Sequence, residues 1–263
     1  MAVENQFGLS RRVPAAVKLA VRQRCGFGCV ICGLAFYDYE HFAPDFAVAR
    51  THSPDGMTLL CPNCNQKRAR GRLSAQTVAE ANRDPACLRR GFASELFDFS
   101  SEPITVKVAG VTFYNCQQLI VINGVPVLSV APPDEPGHPV RMSGFFSNSE
   151  GKIVMRIHDN ELMLNVENWD IECVGSNIRI RNGIGDVALS LEMHPPSGIS
   201  VTSINMQFKG VRLRGAGDVL EVSSDSRNWI RLQSVSASHC MMGIVYSSDG
   251  LHPANDPIYE LPT

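Results

Sequence analysis

Residues 29–33 read C-V-I-C-G, residues 61–64 read C-P-N-C, and the run Y-E-H-F-A-P lies between them at 39–44. The two C-x-x-C pairs are separated by 28 residues. Each pair forms a short turn whose two thiolates point inward, and four such sulfurs complete a tetrahedral zinc site. The spacing therefore predicts a structural Zn²⁺ held by Cys29, Cys32, Cys61 and Cys64. The alternative is two accidental pairs in a reduced core.

The distribution of charge divides the chain into two parts. Residues 1–100 carry 13 Lys and Arg against 9 Asp and Glu, whereas residues 101–263 carry 11 against 17. This asymmetry predicts a basic domain at 1–100 and an acidic domain at 101–263, with the boundary near residues 98–104. The basic domain suits a polyanionic partner.

The nine cysteines indicate a reducing compartment, because the five outside the two pairs show no disulfide-like spacing. Met1–Ser10 is polar and shows no signal peptide. No apolar run approaches the roughly 18 residues of a membrane-spanning helix. We therefore expect a cytoplasmic protein that makes no use of a membrane.

The basic domain reads as a mixture of short helices and strands. Residues 1–12 look like a loose, partly basic leader, and residues 85–99 look like a bridge to the second domain. Between them, apolar spacing and capping residues predict regular elements. These are helices at Pro14–Arg24, Cys64–Arg72 and Ser74–Ala81, and strands at Leu34–Phe42 and Met57–Leu60.

The acidic domain has the pattern of an all-β fold. Alternating runs such as I-T-V-K-V at 104–108 and I-V-M-R-I at 153–157 recur between turn residues, and strong helical patterns are absent. A β-sandwich is the favoured architecture. A β-solenoid is the alternative, because loosely similar units occur near 113–116, 169–173 and 208–211.

The order of motifs between residues 22 and 75 resembles the HNH nuclease family in its zinc-containing, two-knuckle form. That order is C-x-x-C, acid–His, apolar strand, C-x-x-C, polar residue and basic helix. The resemblance implies an α+β, treble-clef-like ββα-metal finger, in which a hairpin and a helix surround one catalytic divalent ion. It implies that His41 is the general base and that Glu40 and Asn65 are ligands of that ion.

The same residue types also suit phosphodiester hydrolysis on chemical grounds. His41 titrates near neutrality and can activate water. Glu40 and Asn65 offer oxygen atoms to Mg²⁺ or Mn²⁺, which neutralises charge in the transition state. Basic side chains follow on the predicted helix and would hold backbone phosphates. They are Lys67, Arg68, Arg70 and Arg72.

The chain departs from the family pattern at two positions. Asn65 stands where the family often has His, and Gly56 stands where it usually has an Asn that braces the loop around the base. His52 lies nearby in the sequence and is a candidate for the brace or for a metal ligand.

These observations predict a metal-dependent endonuclease acting on DNA, with double-stranded DNA favoured, in restriction or antiviral defence. The β domain would select the target, bind a protein partner or form a homo-oligomer. Two alternatives stay open at this point. One is a catalytically inactive zinc module that binds nucleic acid, and the other is a protein-interaction adaptor that works through the β domain.

Overall fold

The computed structural model describes residues 4–247 and 250–252 of the chain, which divide into two compact units. The first unit comprises Met1–Glu95 together with Leu164–Gly175, and the second comprises Leu96–Met163 and Ser176–Thr263. The first boundary lies close to the predicted 98–104. Nothing in the local sequence pattern indicated that Leu164–Gly175 belongs with the first unit. Among the described residues, no helix has the length and apolar character needed to cross a bilayer.

Four helices and three strands precede the β-rich part of the chain. They are α1 (Ala15–Cys25), β1 (Asp38–His41), a 3₁₀ turn (Pro54–Gly56), β2 (Met57–Leu60), α2 (Pro62–Ala69), α3 (Ala75–Arg83), α4 (Ala86–Arg90) and β3 (Phe92–Leu96).

The rest of the described chain is strand and connecting turn. The strands are β4 (Thr105–Val108), β5 (Val111–Ile122), β6 (Val125–Ala131), β7 (Arg141–Ser147), β8 (Ile153–His158), β9 (Glu161–Asn165), β10 (Asp170–Val174), β11 (Asn177–Gly183), β12 (Asp186–His194), β13 (Gly198–Phe208), β14 (Val211–Ala216), β15 (Val219–Ser223), β16 (Ile230–Gln233), β17 (Val235–Ser247) and β18 (Gly250–His252). The protein is therefore mostly β, with a small helical region, as the sequence predicted.

The elements of the first unit largely follow the sequence pattern. β2 has the predicted bounds, and Ser74 caps α3 by accepting a hydrogen bond from the Thr77 amide. The predicted strand at Leu34–Phe42 is shorter, because its first residues close a turn in which the Cys29 amide donates to the Leu34 carbonyl. The predicted bridge at 85–99 contains α4 and β3.

A two-stranded antiparallel sheet and the helix after it organise the core of the first unit. β1 and β2 pair in the register Glu40↔Thr58 and His41↔Met57. Ten buried residues form the apolar cluster beneath them, and they include three of the four paired cysteines. They are Val21, Cys25, Cys29, Val30, Met57, Leu59, Leu60, Cys61, Cys64 and Val78. Because these cysteines are part of the apolar core, a change in their positions would directly disrupt the packing of the first unit.

A buried ion pair connects α1 to the Leu164–Gly175 segment of the same unit. Arg22 donates from Nε and Nη2 to the two carboxylate oxygens of Asp170, at 2.7 and 2.9 Å. Its Nη1 donates to the Tyr39 hydroxyl at 2.7 Å. Burial by itself would lower the pKa of Arg22, but the bonds to Asp170 and Tyr39 outweigh it and raise that pKa. This arrangement supports β1 from the side of α1.

The strands of the second unit belong to one curled and branched sheet. Most neighbouring strands are antiparallel, whereas β4–β13 and β5–β17 are parallel. β5 pairs with β17 along one edge, and with β4 and then β6 along the other. β5 thus pairs with β4 in its first part and with β6 in its second part, and this change of partner joins β4 and β6 into one sheet. The result differs from the two separate sheets of a sandwich and from the parallel coils of a solenoid.

Candidate functional site

The first C-x-x-C pair is held by a backbone turn. The Gly33 amide donates to the Cys29 carbonyl at 2.8 Å, and the Val30 amide donates to the Leu59 carbonyl of β2 at 3.0 Å. Gly33 lies in the left-handed region, with φ of 79°, which closes the turn without a side-chain clash. Cys29 is buried and Cys32 is exposed, so the pair lies at the edge of the core.

The second pair lies where β2 passes into α2. Cys61 is the N-cap of the helix, and its Sγ accepts a hydrogen bond from the Cys64 amide at 3.4 Å. Pro62 occupies the first helical turn, where its missing N–H costs nothing. The helix therefore begins two residues earlier than the predicted Cys64, and its start presents both sulfurs on one side.

The four cysteine sulfurs form a single cluster, as the spacing predicted. All four lie within 4.8 Å of one another, with Cys32 Sγ 3.6 Å from Cys61 Sγ and 3.9 Å from Cys64 Sγ. Four sulfurs bound tetrahedrally at roughly 2.3 Å from zinc are roughly 3.8 Å apart. The cluster can therefore hold a zinc ion with little rearrangement. Cys25 is outside it and lies against Thr58.

Glu40 and Asn65 are in contact, although they are 25 positions apart in the sequence. Glu40 lies on β1 and Asn65 in the first turn of α2, and Asn65 Nδ2 donates to Glu40 Oε1. The main cause acting on the Glu40 carboxyl is burial, which raises its pKa, while the bond from Asn65 opposes this. A carboxylate and a side-chain amide are thus brought together at one place, with the amide nitrogen facing the carboxylate. Carboxylate and amide oxygens are ligand types suited to a hard divalent cation.

His41 is the first member of a hydrogen-bonded chain. Its Nε2 lies 3.0 Å from His52 Nδ1, and His52 Nε2 lies 2.8 Å from the Ser10 carbonyl oxygen. The carbonyl can only accept, so His52 carries its proton on Nε2, and in the neutral pair His52 Nδ1 accepts from His41 Nε2–H. The lone pair of His41 is then on Nδ1. Burial, followed by the neighbouring His52, lowers the pKa of His41 and favours this neutral form.

Gly56 holds the end of the hairpin through its backbone. Its carbonyl accepts from the amides of Phe42 and Ala43, at 3.0 and 3.3 Å. A Cβ at this position would lie 2.5 Å from the Ala43 carbonyl oxygen, which is too close for any side chain. The glycine therefore closes the loop after His41 by close backbone approach, where the family pattern has an asparagine.

The N-terminal leader packs onto the loop between β1 and β2. Asn5 donates from Nδ2 to the carbonyls of Phe46 and Ala49, at 2.6 and 2.7 Å. The guanidinium of Arg11 lies 4.4 Å from the centre of the Phe46 ring. Sequence reasoning missed this role of residues 4–11, because a polar leader carries no periodic pattern. The only hint in the sequence is that residues 4–11 include side chains, such as those of Asn5 and Arg11, that can bind carbonyl groups or aromatic rings.

A small cleft of about 50 Å³ opens beside His41. Arg11, Glu40, Phe46 and His52 contribute to its lining. The cleft is open to solvent on one side and has room for a few water molecules. Glu40, His41 and His52 therefore line one solvent-accessible space.

The four basic residues after the second knuckle differ in their surroundings. Lys67, Arg70 and Arg72 are exposed, whereas Arg68 is half-buried and pairs with Asp45 through Nη2 and Oδ1. Three of the four are thus presented to solvent, and Arg68 is engaged within the unit.

No family model, no curated protein and no solved structure matches the chain.

Proposed function

We propose that the protein is a metal-dependent endonuclease of the HNH type that hydrolyses phosphodiester bonds of DNA. The observation that carries the proposal is the contact between Glu40 and Asn65 beside a histidine whose Nε2 is already engaged by His52. The order β1, β2, α2 supports the ββα-metal finger that the motif order implies. One acid, one amide and one base are thereby joined on a hairpin and the helix after it.

His41 acts as the general base. Its Nδ1 lone pair faces away from the bond to His52 and takes a proton from a water molecule in the cleft. The imidazolium that results keeps its Nε2–H on His52 Nδ1, and His52 keeps its own Nε2–H on the Ser10 carbonyl. His52 thereby orients the base and takes the role of the brace for which it was a candidate. The Ser10 carbonyl of the N-terminal leader in turn holds His52.

Glu40 and Asn65 would hold the catalytic divalent ion, Mg²⁺ or Mn²⁺, through their side-chain oxygens. The donor set fits, because two protein oxygens together with several waters satisfy the coordination of Mg²⁺. When bound, such an ion neutralises charge on the transition state and the leaving oxygen. The four-cysteine cluster would hold a structural Zn²⁺ that supports the hairpin from below.

DNA is the proposed substrate, with double-stranded DNA favoured. Lys67, Arg70 and Arg72 are exposed on the side of α2 and the turn after it, and would contact backbone phosphates without reading sequence. The scissile phosphate would lie at the mouth of the cleft beside His41. Restriction or antiviral defence is the proposed context, with the β-rich unit selecting the target or a partner.

A plasmid-nicking assay tests the proposal. Purified protein is incubated with supercoiled plasmid in Mg²⁺, in Mn²⁺ and in EDTA, beside His41→Ala. We expect nicking in either metal, none in EDTA, and a loss of about 10²–10⁴-fold in His41→Ala with zinc content unchanged. His194→Ala is the matched control, because His194 is an exposed histidine of the second unit whose Nε2 lies 2.9 Å from Ser200 Oγ.

The assay also separates the alternatives. If the protein retains DNA in a salt-sensitive way but does not nick it with any divalent ion, the nuclease proposal is wrong and the protein is a non-catalytic zinc module that binds nucleic acid. If the protein neither binds nor nicks DNA, the protein-interaction adaptor is the alternative that remains.

A further inference from the structure

Two cysteines of the second unit face each other across a pair of parallel strands. Cys116 on β5 and Cys240 on β17 are register partners, and their Sγ atoms are 2.7 Å apart. Cys116 is buried, and Cys240 is half-buried. The second unit contains no other cysteine. The proposed zinc site uses neither residue.

The backbone of both strands is shaped to make this contact. The residue before each cysteine lies in the left-handed region, Asn115 with φ of 50° and His239 with φ of 54°. Residues other than glycine adopt this conformation infrequently, and it persists where the surroundings impose it. The two residues occur at the same level of the parallel pair, between the partners Ser238↔Tyr114 and Cys240↔Cys116. The matched kinks turn the two thiols toward each other.

The strand geometry suits a covalent bond at this position. Neighbouring strands are about 4.7–4.9 Å apart, within the range of Cα separations, about 4.4–6.8 Å, that disulfides span. A disulfide between the two cysteines can therefore form while β5 and β17 stay paired.

We propose that Cys116 and Cys240 form a disulfide that fastens β17 to β5. The oxidant is a low-molecular-weight disulfide such as oxidised glutathione. The Cys240 thiolate attacks one of its sulfurs and releases one small thiol, leaving a mixed disulfide. The Cys116 thiolate then attacks Cys240 Sγ and releases the second small thiol. Two protons and two electrons leave the protein, and the oxidant becomes two thiols.

The bond would act on the longest parallel pairing of the sheet. The two cysteines are 124 positions apart, and β17 follows β5 from Val111 to Ile122. A cross-link over so long a loop restricts the unfolded chain strongly. The oxidised unit is therefore more resistant to heat, and a reductant reverses the effect.

Peptide mapping of the full-length, zinc-loaded protein tests the proposal. The protein is incubated with oxidised glutathione, unfolded in the presence of an alkylating agent and digested without reduction. We expect one cross-linked peptide joining Cys116 to Cys240, lighter by about 2 Da than the sum of the two reduced peptides. Cys240→Ala removes the cross-link, whereas Cys173→Ala, which removes a buried cysteine of the first unit, retains it.

Thermal unfolding supplies a second readout. Oxidised protein is expected to unfold about 4–15 °C higher than reduced protein, with no such difference in Cys240→Ala. Recovery of both cysteines in alkylated form, under conditions that attach glutathione to any other cysteine, would overturn the proposal. So would pairing of Cys116 with any cysteine except Cys240. Neither result depends on whether the protein cuts DNA.

Discussion

Replacing one zinc ligand is the perturbation with the largest expected effect, and Cys61→Ser isolates it best. Cys61 is both a member of the sulfur cluster and the N-cap of α2. Serine is a preferred N-cap, so the substitution preserves the start of the helix and removes only a sulfur ligand. Any large loss of stability is then attributable to the metal.

The magnitude follows from the small size of the first unit's core. Structural zinc contributes an apparent binding free energy of about 10–16 kcal/mol, which is as large as the roughly 5–15 kcal/mol by which a typical whole domain is stable. Cys29, Cys61 and Cys64 are themselves among the ten buried residues of the apolar cluster. We therefore expect the first unit to unfold when zinc is lost, while the strands of the second unit persist.

Zinc content and hydrogen exchange measure this outcome in the full-length protein. Wild type is expected to bind one zinc ion per chain, and Cys61→Ser to bind none and to lose amide protection in β2 and α2. Protection in β5 and β17 should be unchanged. The matched control is Cys25→Ser, because Cys25 is a buried cysteine of the same apolar core that does not belong to the four-sulfur cluster. Full zinc occupancy in Cys61→Ser would refute the ligand assignment.

Three further predictions concern single contacts. Asp170→Asn weakens a buried ion pair and should lower the free energy of unfolding by about 3–5 kcal/mol in urea denaturation, against about 0–1 kcal/mol for the exposed Asp84→Asn. Gly56→Ala places a methyl group on the backbone of Ala43 and should cost about 1–3 kcal/mol by the same assay. Burial raises the pKa of the Cys64 thiol in the metal-free protein, whereas zinc binds the thiolate. Zinc binding therefore releases protons, and its apparent affinity should fall as pH falls, as a chelator competition at several pH values will measure.

Local features of the first unit could be predicted from the sequence. Met57–Leu60 is a strand with the predicted bounds. A short apolar run between Gly56 and Cys61 is too short for a helix and is typical of a buried strand. The clustering of the four cysteines followed from their spacing alone. In both cases the signal lies within a few residues of the feature.

Features that depend on distant residues could not be predicted in this way. Arg22 and Asp170 are 148 positions apart, and neither is marked by its neighbours as half of an ion pair. The bond from His52 to the Ser10 carbonyl likewise requires the leader to fold back across 42 positions. In the second unit, alternation identified strands but not their partners, because β4–β13 and β5–β17 pair across long stretches of chain.

Chemical rescue of a His41 variant shows whether this imidazole is the general base. His41→Gly removes the imidazole and leaves a space beside Glu40 and His52, so free imidazole can enter and replace the missing base. We predict that plasmid nicking in Mn²⁺ falls by about 10²–10⁴-fold in His41→Gly and rises again with added imidazole. Nicking that is unaffected by the substitution, or absent in the zinc-loaded wild type with every divalent ion, would contradict it.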